Sequence, residues 1–331
     1  MIKGAASSYR QSGMPATDSP QDRIGILLMA LGGPDSLESV EPYLQELRGG
    51  RPTPQSLIDE ITERYRITGG RSPVLAITRE LGGKLERRLR QGGTEANVYV
   101  GLRHWHPSIG EVYRQIEQDG VRRVVGVCMA PQNSQMTVGA YIRKVEEARA
   151  QSSAPSAFTC VRSWNTHPLL IAAIAANIEE TRRIFPADST VPILFTAHSL
   201  PLRILENQDP YPQEVRATVE AVVAKLRPEV WRFAYQSQGR SEEPWLGPTV
   251  EMMLEELEQA GHRQVLLAPI GFVSDHVEIL YDIDIEFKKL AAQKGIRLER
   301  TPMLNATGPL VETLTGVVQS HLQEIGLLTS A

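Results

Sequence analysis

Cysteine is scarce in this chain, since Cys128 and Cys160 are the only two among 331 residues. Two thiols cannot build a disulfide framework or supply the four ligands of an iron–sulfur cluster, and they favour a reducing compartment. Long apolar runs are also missing, which argues against a membrane-spanning helix. The formal net charge of −4 gives no reason to expect nucleic-acid binding. We therefore expect a soluble, cytoplasmic protein.

A dinucleotide-binding fingerprint is absent as well. Gly32 and Gly33 follow an apolar run, but no third glycine follows at the required spacing. No acid stands about twenty residues further on, where one would hold a ribose. This argues against nicotinamide or flavin chemistry.

Short apolar runs alternate with longer amphipathic segments, which predicts α/β units around parallel sheets. Strands are expected at residues 24–31, 97–102, 124–130, 158–162, 193–197, 231–236, 265–270 and 298–303. Helices are expected at residues 168–185, 214–226, 248–260, 275–292 and 309–325. The runs at 24–31 and 193–197 each open a stretch with about four strands. The chain therefore looks twofold, with two similar Rossmann-like halves, each a mainly parallel sheet flanked by helices.

The domain organisation follows from that repetition. Residues 23–160 are assigned to the first half and residues 161–331 to the second, which carries the residues of greatest chemical interest. Residues 1–22 are rich in Ser, Gly, Ala and Pro without an apolar core of signal-peptide length, and we expect a disordered leader there.

Three acids dominate the segment at residues 269–286, where a predicted strand turns into a helix. Glu278, Asp282 and Glu286 share one helix face, and like charges at that spacing are destabilising unless a cation lies among them. A solvated acidic face is the simplest explanation, but apolar residues surround the acids. A file of carboxylates leading to His276 would suit a divalent metal that is handed along it.

A second histidine, His198, follows the predicted strand at residues 193–197. Ligands bind beyond the carboxyl ends of the strands in open parallel sheets, and His198 stands at that end. A lone histidine in such a place is more often structural than catalytic. Whether His198 is structural or catalytic therefore depends on its relation to the segment that carries the acids.

Seven separated motifs link these segments. They are LLMALGGPDS at 27–36, YRITGGRSP at 65–73, GLRHWHP at 101–107, APQNS at 130–134, FTAHSLP at 195–201, PWLGP at 244–248 and GFVSDHVEILYDID at 271–284. Together and in this order they resemble the ferrochelatase family, which inserts ferrous iron into a porphyrin during haem synthesis. The resemblance runs from about residue 23 to residue 327. It implies a chelatase-like fold with the halves facing across a porphyrin cleft, porphyrin and ferrous iron as substrates, and no required cofactor.

The resemblance also implies roles for single residues. His198 and Glu278 match the family's catalytic pair, with His198 as the base that accepts pyrrole protons, because imidazole titrates near physiological pH. Glu278 would orient His198, share its proton or bind iron, and which residue handles metal stays open. Asp282 and Glu286 would extend the row outward, delivering metal or draining protons. The expected iron ligands are therefore His198, Glu278, Asp282 and Glu286.

The expected porphyrin contacts are Leu31, Arg48, Arg51, Ser72, His104, Trp245 and His276. Leu31 stands where some relatives carry a tyrosine, so that extra metal ligand is missing. The sequence QSQGRSEEPW at 236–245 departs from many relatives, which puts any ring contact there in doubt. For His106 we expect an ordinary polar contact.

The irregular segment at residues 43–73 is expected to form a lip over the cleft, and it contains Arg48, Arg51, Arg64, Arg66 and Arg71. These arginines are either solvated surface charge or a surface that binds propionates, since a guanidinium holds a carboxylate bidentately. An arginine-rich lip suits coproporphyrin III, which has four propionates. The segment LRGGRPTP at 47–54 and the end at Ala331 also resemble the bacterial coproporphyrin enzymes more than the protoporphyrin IX enzymes with long carboxy-terminal extensions.

Two alternatives stay open. One is a cobalt or nickel chelatase of another tetrapyrrole, whose members tend to bind metal through two histidines. The other is a non-catalytic carrier of tetrapyrrole or metal, which the presence of both His198 and Glu278 disfavours. Other haem-pathway enzymes are expected as partners.

Overall fold

Two four-stranded parallel sheets form the framework of the computed structural model, which describes residues 24–239 and 241–328. The first sheet contains β1 (Ile24–Ala30), β2 (Ala96–Leu102), β3 (Arg123–Cys128) and β4 (Ala157–Val161), in the order β2-β1-β3-β4. The second contains β5 (Ile193–His198), β6 (Trp231–Gln236), β7 (Gln264–Pro269) and β8 (Arg297–Arg300), in the order β6-β5-β7-β8. The two orders are equivalent, which confirms the predicted twofold α/β architecture. The predicted leader at residues 1–22 lies outside the described residues.

Helices connect these strands. Those of the first half are α1 (Val40–Leu47), α2 (Gln55–Ile67), α3 (Val74–Gln91), α4 (Ile109–Gln118) and α5 (Val138–Ala150). Those of the second half are α6 (Pro168–Arg182), α7 (Tyr211–Leu226), α8 (Val250–Gln259), α9 (Lys288–Gln293) and α10 (Gly308–Glu324). A 3₁₀ turn at Leu202–Ile204 and a π-helix at Glu278–Phe287 complete the described elements. None of the described helices is long and apolar enough to span a membrane.

The central strand β1 shows why the fold forms. All its residues are buried, as in a parallel strand covered on both faces. Ile26 and Leu28 pack with α3 and α10 in one core, whereas Leu27 and Met29 pack with α4 and α5 in another. A continuous apolar run is therefore what this strand needs, and such runs located the strands to within three residues.

The final helix connects the two halves. Leu314 of α10 is buried with Leu81 and Leu85 of α3, in the core of the first sheet. Arg88 Nε of α3 donates to Glu312 Oε1 of α10 over 2.6 Å. The division predicted after residue 160 falls one residue before the end of β4, and a helix from beyond that point completes the core of the first sheet.

The segment that carries the acids differs from its predicted form. An α-helix over residues 275–292 was expected, whereas Glu278–Phe287 is a π-helix that α9 follows. π-helices are rare and are frequently found at functional sites. Ile279, Ile283 and Phe287 bury one side against the second sheet. Because the turn is wider than that of an α-helix, side chains four apart still lie near one line, and the acids share a side.

Candidate active site

His198 is the last residue of β5, the strand that lies between β6 and β7. Its Nδ1 makes a short contact with the carbonyl oxygen of Ser199. A carbonyl only accepts, so Nδ1 carries the hydrogen and Nε2 remains for chemistry. That Nε2 lies 3.5 Å from Glu278 Oε1. The β5 strand thus presents one ring nitrogen of His198 to the carboxylate.

Glu278 begins the π-helix and lies between two imidazoles. Its Oε2 is 3.4 Å from His276 Nε2, and His276 Nδ1 is 3.0 Å from the carbonyl oxygen of Ser274. Burial alone would raise the pKa of Glu278, but His198 and His276 outweigh it and hold that pKa below its usual value. Burial lowers the pKa of His198 whereas Glu278 raises it, and on balance the pKa of His198 lies above its ordinary value. The structure therefore brings together His198, Glu278 and His276 as a histidine–carboxylate–histidine cluster.

The approach of β7 to β5 makes this cluster possible. Gly271 follows β7, and a Cβ at that position would lie 2.9 Å from both Cα and Cβ of Ala197. Only a residue without a side chain allows so close an approach. The Phe272 ring consequently lies 6.3 Å from that of His198 and 4.5 Å from that of His276.

Asp282 and Arg64 form the next part of the site. Asp282 Oδ1 accepts from Arg64 Nη1 over 3.0 Å, and its Oδ2 accepts from Ser237 Oγ over 2.6 Å. Arg64 Nη2 lies 3.7 Å from Glu286 Oε1. Burial raises the pKa of Asp282 to about 6; Glu278 and Glu286 add to this, while Ser237 and Arg64 oppose it. Arg64 is the cation among the acids.

This placement corrects one expectation for the lip. Arg64 was grouped with arginines that were expected either to be solvated or to bind propionates, and it fits neither description. Its guanidinium lies against the acidic row and 4.6 Å over the ring of Tyr281. Arg48 and Arg51 fit the lip better: they follow α1, and Arg51 Nε donates to the Arg48 carbonyl over 3.0 Å. Neither forms an ion pair with a carboxylate of the described residues.

Two tyrosines of the lip were missed. Tyr43 of α1 and Tyr65 of α2 are buried, and burial together with the charge of Glu278 raises the pKa of both. Arg103 lies near Tyr43, and burial lowers the pKa of its guanidinium. Tyr65 and Arg103 stand inside the motifs YRITGGRSP and GLRHWHP, so the signal for these two was present in the sequence. Tyr43 lies outside every motif.

Three predicted porphyrin contacts gather beyond β1. Leu31 is 39% exposed, and its carbonyl accepts from His104 N over 3.0 Å. Burial lowers the pKa of His104 to about 4, so its ring is neutral at physiological pH. Ser72 lies against the turn, since a Cβ on Gly33 would be 2.5 Å from Ser72 Cβ. The lip and the end of the first sheet therefore meet at one place.

Trp245 and Asp275 make their contacts elsewhere than Leu31, His104 and Ser72. Trp245 Nε1 donates to Ser241 Oγ over 3.2 Å, and its ring covers Gly239 in the loop after β6. Asp275, which precedes His276, pairs with Arg300, 3.3 Å away. A further prediction is confirmed, because the exposed ring of His106 makes a polar contact of 2.9 Å with Glu111.

The four predicted iron ligands do not surround one point. Among the residues that the structure describes, no three His, Cys, Asp or Glu side chains are grouped so that they could hold a metal ion. His198 and Glu278 lie at the inner end of the row, while Glu286 is 46% exposed at the outer end. The arrangement is a file of carboxylates that leads from the exposed Glu286 to His198.

Residues 23–322 match the family model for ferrochelatase. The chain belongs to the ferrochelatase family. The ferrochelatase of Herpetosiphon aurantiacus is 41% identical over 300 residues, which cover 89% of this chain and 98% of that protein. The coproporphyrin III ferrochelatase of Anoxybacillus flavithermus is 35% identical over 308 residues, or 92% of this chain and 98% of that one. Members of the ferrochelatase family act on a porphyrin and iron, so this chain is a metal chelatase.

Solved structures show the same fold at low sequence identity. SirB from Bacillus subtilis, with Fe³⁺, has a TM-score of 0.58 at 9% identity, covering 92% of this chain and 98% of that one. CbiX, described as the terminal enzyme of sirohaem biosynthesis in denitrifying bacteria, has a TM-score of 0.51 at 11% identity, covering 89% and 98%. The predicted chelatase-like fold is therefore confirmed.

Proposed function

We propose that the protein inserts ferrous iron into coproporphyrin III and uses His198 and Glu278 to remove the pyrrole protons. The observation that carries this proposal is the position of Glu278, 3.5 Å from His198 Nε2 and 3.4 Å from His276 Nε2. Metal insertion releases two pyrrole protons, and they need acceptors next to the ring. A carboxylate shared by two imidazoles provides such acceptors.

The proton must then leave the site. His198 Nδ1 is engaged with the Ser199 carbonyl, so Nε2 both takes up and releases protons. Asp282, with a pKa of about 6, gains and loses a proton close to physiological pH. The electrostatic interactions of Asp282 with Glu278 and Glu286 join the inner cluster to the exposed end of the row. We infer that protons leave along this row and that iron enters along it.

The porphyrin assignment rests on the lip. Coproporphyrin III carries more propionates than protoporphyrin IX, and Arg48 and Arg51 have no carboxylate partner among the described residues. Bidentate pairing between a guanidinium and a carboxylate supplies the binding energy and the orientation. Four relatives at 32–35% identity carry the name coproporphyrin III ferrochelatase. A cytoplasmic location and an activity without a resident cofactor complete the proposal.

His276 supports a second candidate. Cobalt and nickel chelatases of other tetrapyrroles tend to use two histidines, and here two imidazoles lie against Glu278. Both His198 and His276 point Nε2 at that carboxylate. Insertion of cobalt into a different tetrapyrrole is therefore the alternative to be tested alongside iron.

The test is an anaerobic incubation of the protein with Fe²⁺ and coproporphyrin III or protoporphyrin IX. Turnover is measured as the loss of free-base porphyrin fluorescence. The expected result is turnover with both and a higher kcat/KM for coproporphyrin III. A higher kcat/KM for protoporphyrin IX would reverse the choice of porphyrin. Failure with both, together with Co²⁺ insertion into sirohydrochlorin, would replace the proposal by the alternative.

A further inference from the structure

A loop of the first half holds an acid of the second. Between β3 and α5, Ser134 Oγ and Gln135 N both donate to Asp209 Oδ2, over 3.0 and 2.8 Å. Ser134 and Asp209 are buried, with 0% and 3% of their surface exposed. Asp209 Oδ1 accepts from Tyr211 N over 3.0 Å, at the first residue of α7. One carboxylate thus fastens the start of α7 to the other half of the molecule.

Tyr211 extends this connection to His198. Its hydroxyl donates to the main-chain carbonyl of His198 over 2.8 Å. The ring is 5% exposed and lies 6.5 Å from that of Tyr235. Burial raises the pKa of the Tyr211 hydroxyl, and Tyr235 and Glu278 add to this effect, so the group keeps its proton and stays a donor. The carbonyl of His198 therefore has a fixed partner on α7.

The orientation of the His198 carbonyl affects the orientation of the His198 imidazole. The peptide unit between His198 and Ser199 is planar, so holding its oxygen fixes where the chain continues. The next carbonyl, that of Ser199, accepts from His198 Nδ1. A shift of the Tyr211 hydroxyl would therefore move the hydrogen-bond partner that orients the ring, and with it the distance from Nε2 to Glu278.

The same loop also contacts the segment that follows β2. Arg103 Nη1 donates to the Met136 carbonyl over 3.2 Å, one residue beyond Gln135. Arg103 follows β2 and lies near Tyr43. The Ser134–Met136 stretch therefore contacts Arg103 of the first half directly and is linked to His198 through Asp209 and Tyr211.

We propose that Tyr211 is a positioning residue, which with Asp209 and Ser134 sets the His198 imidazole according to how the two halves fit together. The role of His198 in this inference rests on the proposed function. Tyr211 itself touches neither metal nor porphyrin in the reaction. Its effect is on the rate of the chemical step and not on porphyrin affinity.

The activity test compares Tyr211→Phe with Tyr113→Phe. Tyr113 is a matched control, since it is also buried and its hydroxyl donates to a main-chain carbonyl, that of Ser156, over 3.2 Å. Tyr211→Phe is expected to lower kcat about tenfold, because small misplacements of a reacting group are costly, and to leave KM for porphyrin within about twofold. Tyr113→Phe should lower the melting temperature comparably with no loss of kcat. Equal kcat values in the two variants would overturn the proposal.

A second readout needs no turnover. The imidazole C–H signals of His198 in the NMR spectrum of the substrate-free protein are assigned by their loss in His198→Ala. They should shift in Tyr211→Phe and in Ser134→Ala, and stay in place in Tyr113→Phe. Unchanged signals in Tyr211→Phe would refute the positioning role even if the protein turned out to insert no iron. A parent without insertase activity but with these shifts would contradict the proposed function alone.

Discussion

At the scale of the residue, the chemistry depends on one ring nitrogen. His198 has Nδ1 bound to a carbonyl and Nε2 beside Glu278, so a single atom is available to the pyrrole protons. Glu278 raises the pKa of His198 although burial opposes it. Removing Glu278 leaves His198 without its carboxylate partner, whereas removing His198 leaves Glu278 with His276 as its remaining imidazole.

His198→Ala is expected to lower the rate of iron insertion by about 10²–10⁴, the usual effect of losing a positioned base. Porphyrin affinity should change by no more than a few-fold, because the ring is held mainly by apolar contacts and propionate pairs. Anaerobic initial rates and fluorescence titration with the free porphyrin measure the two effects. His106→Ala is the control, since His106 is exposed and bound to Glu111. A His198→Ala variant with a near-normal rate would exclude this residue as the base.

Asp282 should make stability depend on pH. Burial raises its pKa from 3.8 to about 6, so the folded protein binds this proton more tightly than the unfolded chain. The free energy of unfolding therefore falls as pH rises through about 4 to 6. Asp282→Asn removes this dependence, and above that window the variant should be more stable than the parent by about 1–3 kcal/mol. Urea denaturation at pH values below and above the window tests this, and an equal difference at both would contradict it.

At the scale of the element, the π-helix places the three acids on one side, and the middle acid is the most buried of them. Glu278 is 28% exposed, Asp282 is 10% exposed and held by Arg64 and Ser237, and Glu286 is 46% exposed. Because Glu278 lies beside the imidazoles, Asp282 is buried and Glu286 is exposed, we expect the three acids to have different roles.

Glu278→Gln should therefore abolish most turnover, whereas Asp282→Asn and Glu286→Gln should each slow it less. The outer variants should also bind divalent cations more weakly, since hard cations prefer carboxylate oxygen. Initial rates over a ferrous-iron titration, with thermal melts to verify folding, give both quantities. If both outer variants match the parent in rate and metal affinity, the row has no transport role and only Glu278 matters.

The lip is the second element with a distinct expectation. Replacing Arg48 and Arg51 together by Ala should raise KM for coproporphyrin III more than for protoporphyrin IX, because the former has two more carboxylates to bind. Arg66→Ala is a suitable control, since Arg66 is exposed and paired with Glu63. Equal effects on the two porphyrins would argue against propionate recognition at these positions.

The sequence predicts the strands well but predicts the form of the segment Glu278–Phe287 poorly, for physical reasons. Buried strands such as β1 need continuous apolar runs, which are visible in the sequence. Nothing in the pattern of Ile279 and Ile283 separates an α-helix from a π-helix, because both bury residues about four apart. Arg64 was assigned wrongly because its partner Asp282 lies 218 positions away, and only the fold brings them together. Ser237 and Tyr211 were missed for the same reason, since their roles come from long-range contacts.

At the scale of the whole molecule, the two halves depend on each other. Leu314 of α10 is fully buried beside Leu81 and Leu85 of the first half. Leu314→Ala should cost about 2–5 kcal/mol and shift a single unfolding transition. Leu254→Ala, in the core of the second sheet, is the comparison and should shift the same transition. Denaturation followed by fluorescence and by circular dichroism tests this, and two separate transitions in the Leu314→Ala protein would show that the halves unfold independently.

Gly271 gives the molecule a constraint that acts over evolutionary time. At Gly261 the backbone has φ +85° and an added Cβ would meet nothing within 4 Å, so asparagine, which accepts such a conformation, is an available substitute. At Gly271 an added Cβ would lie 2.9 Å from the backbone of Ala197, and no side chain of any kind is small enough. A lineage that fills position 271 must either restore glycine or rebuild the end of β5. The spacing between Glu278 and His198 therefore depends on Gly271, a residue that has no side chain of its own.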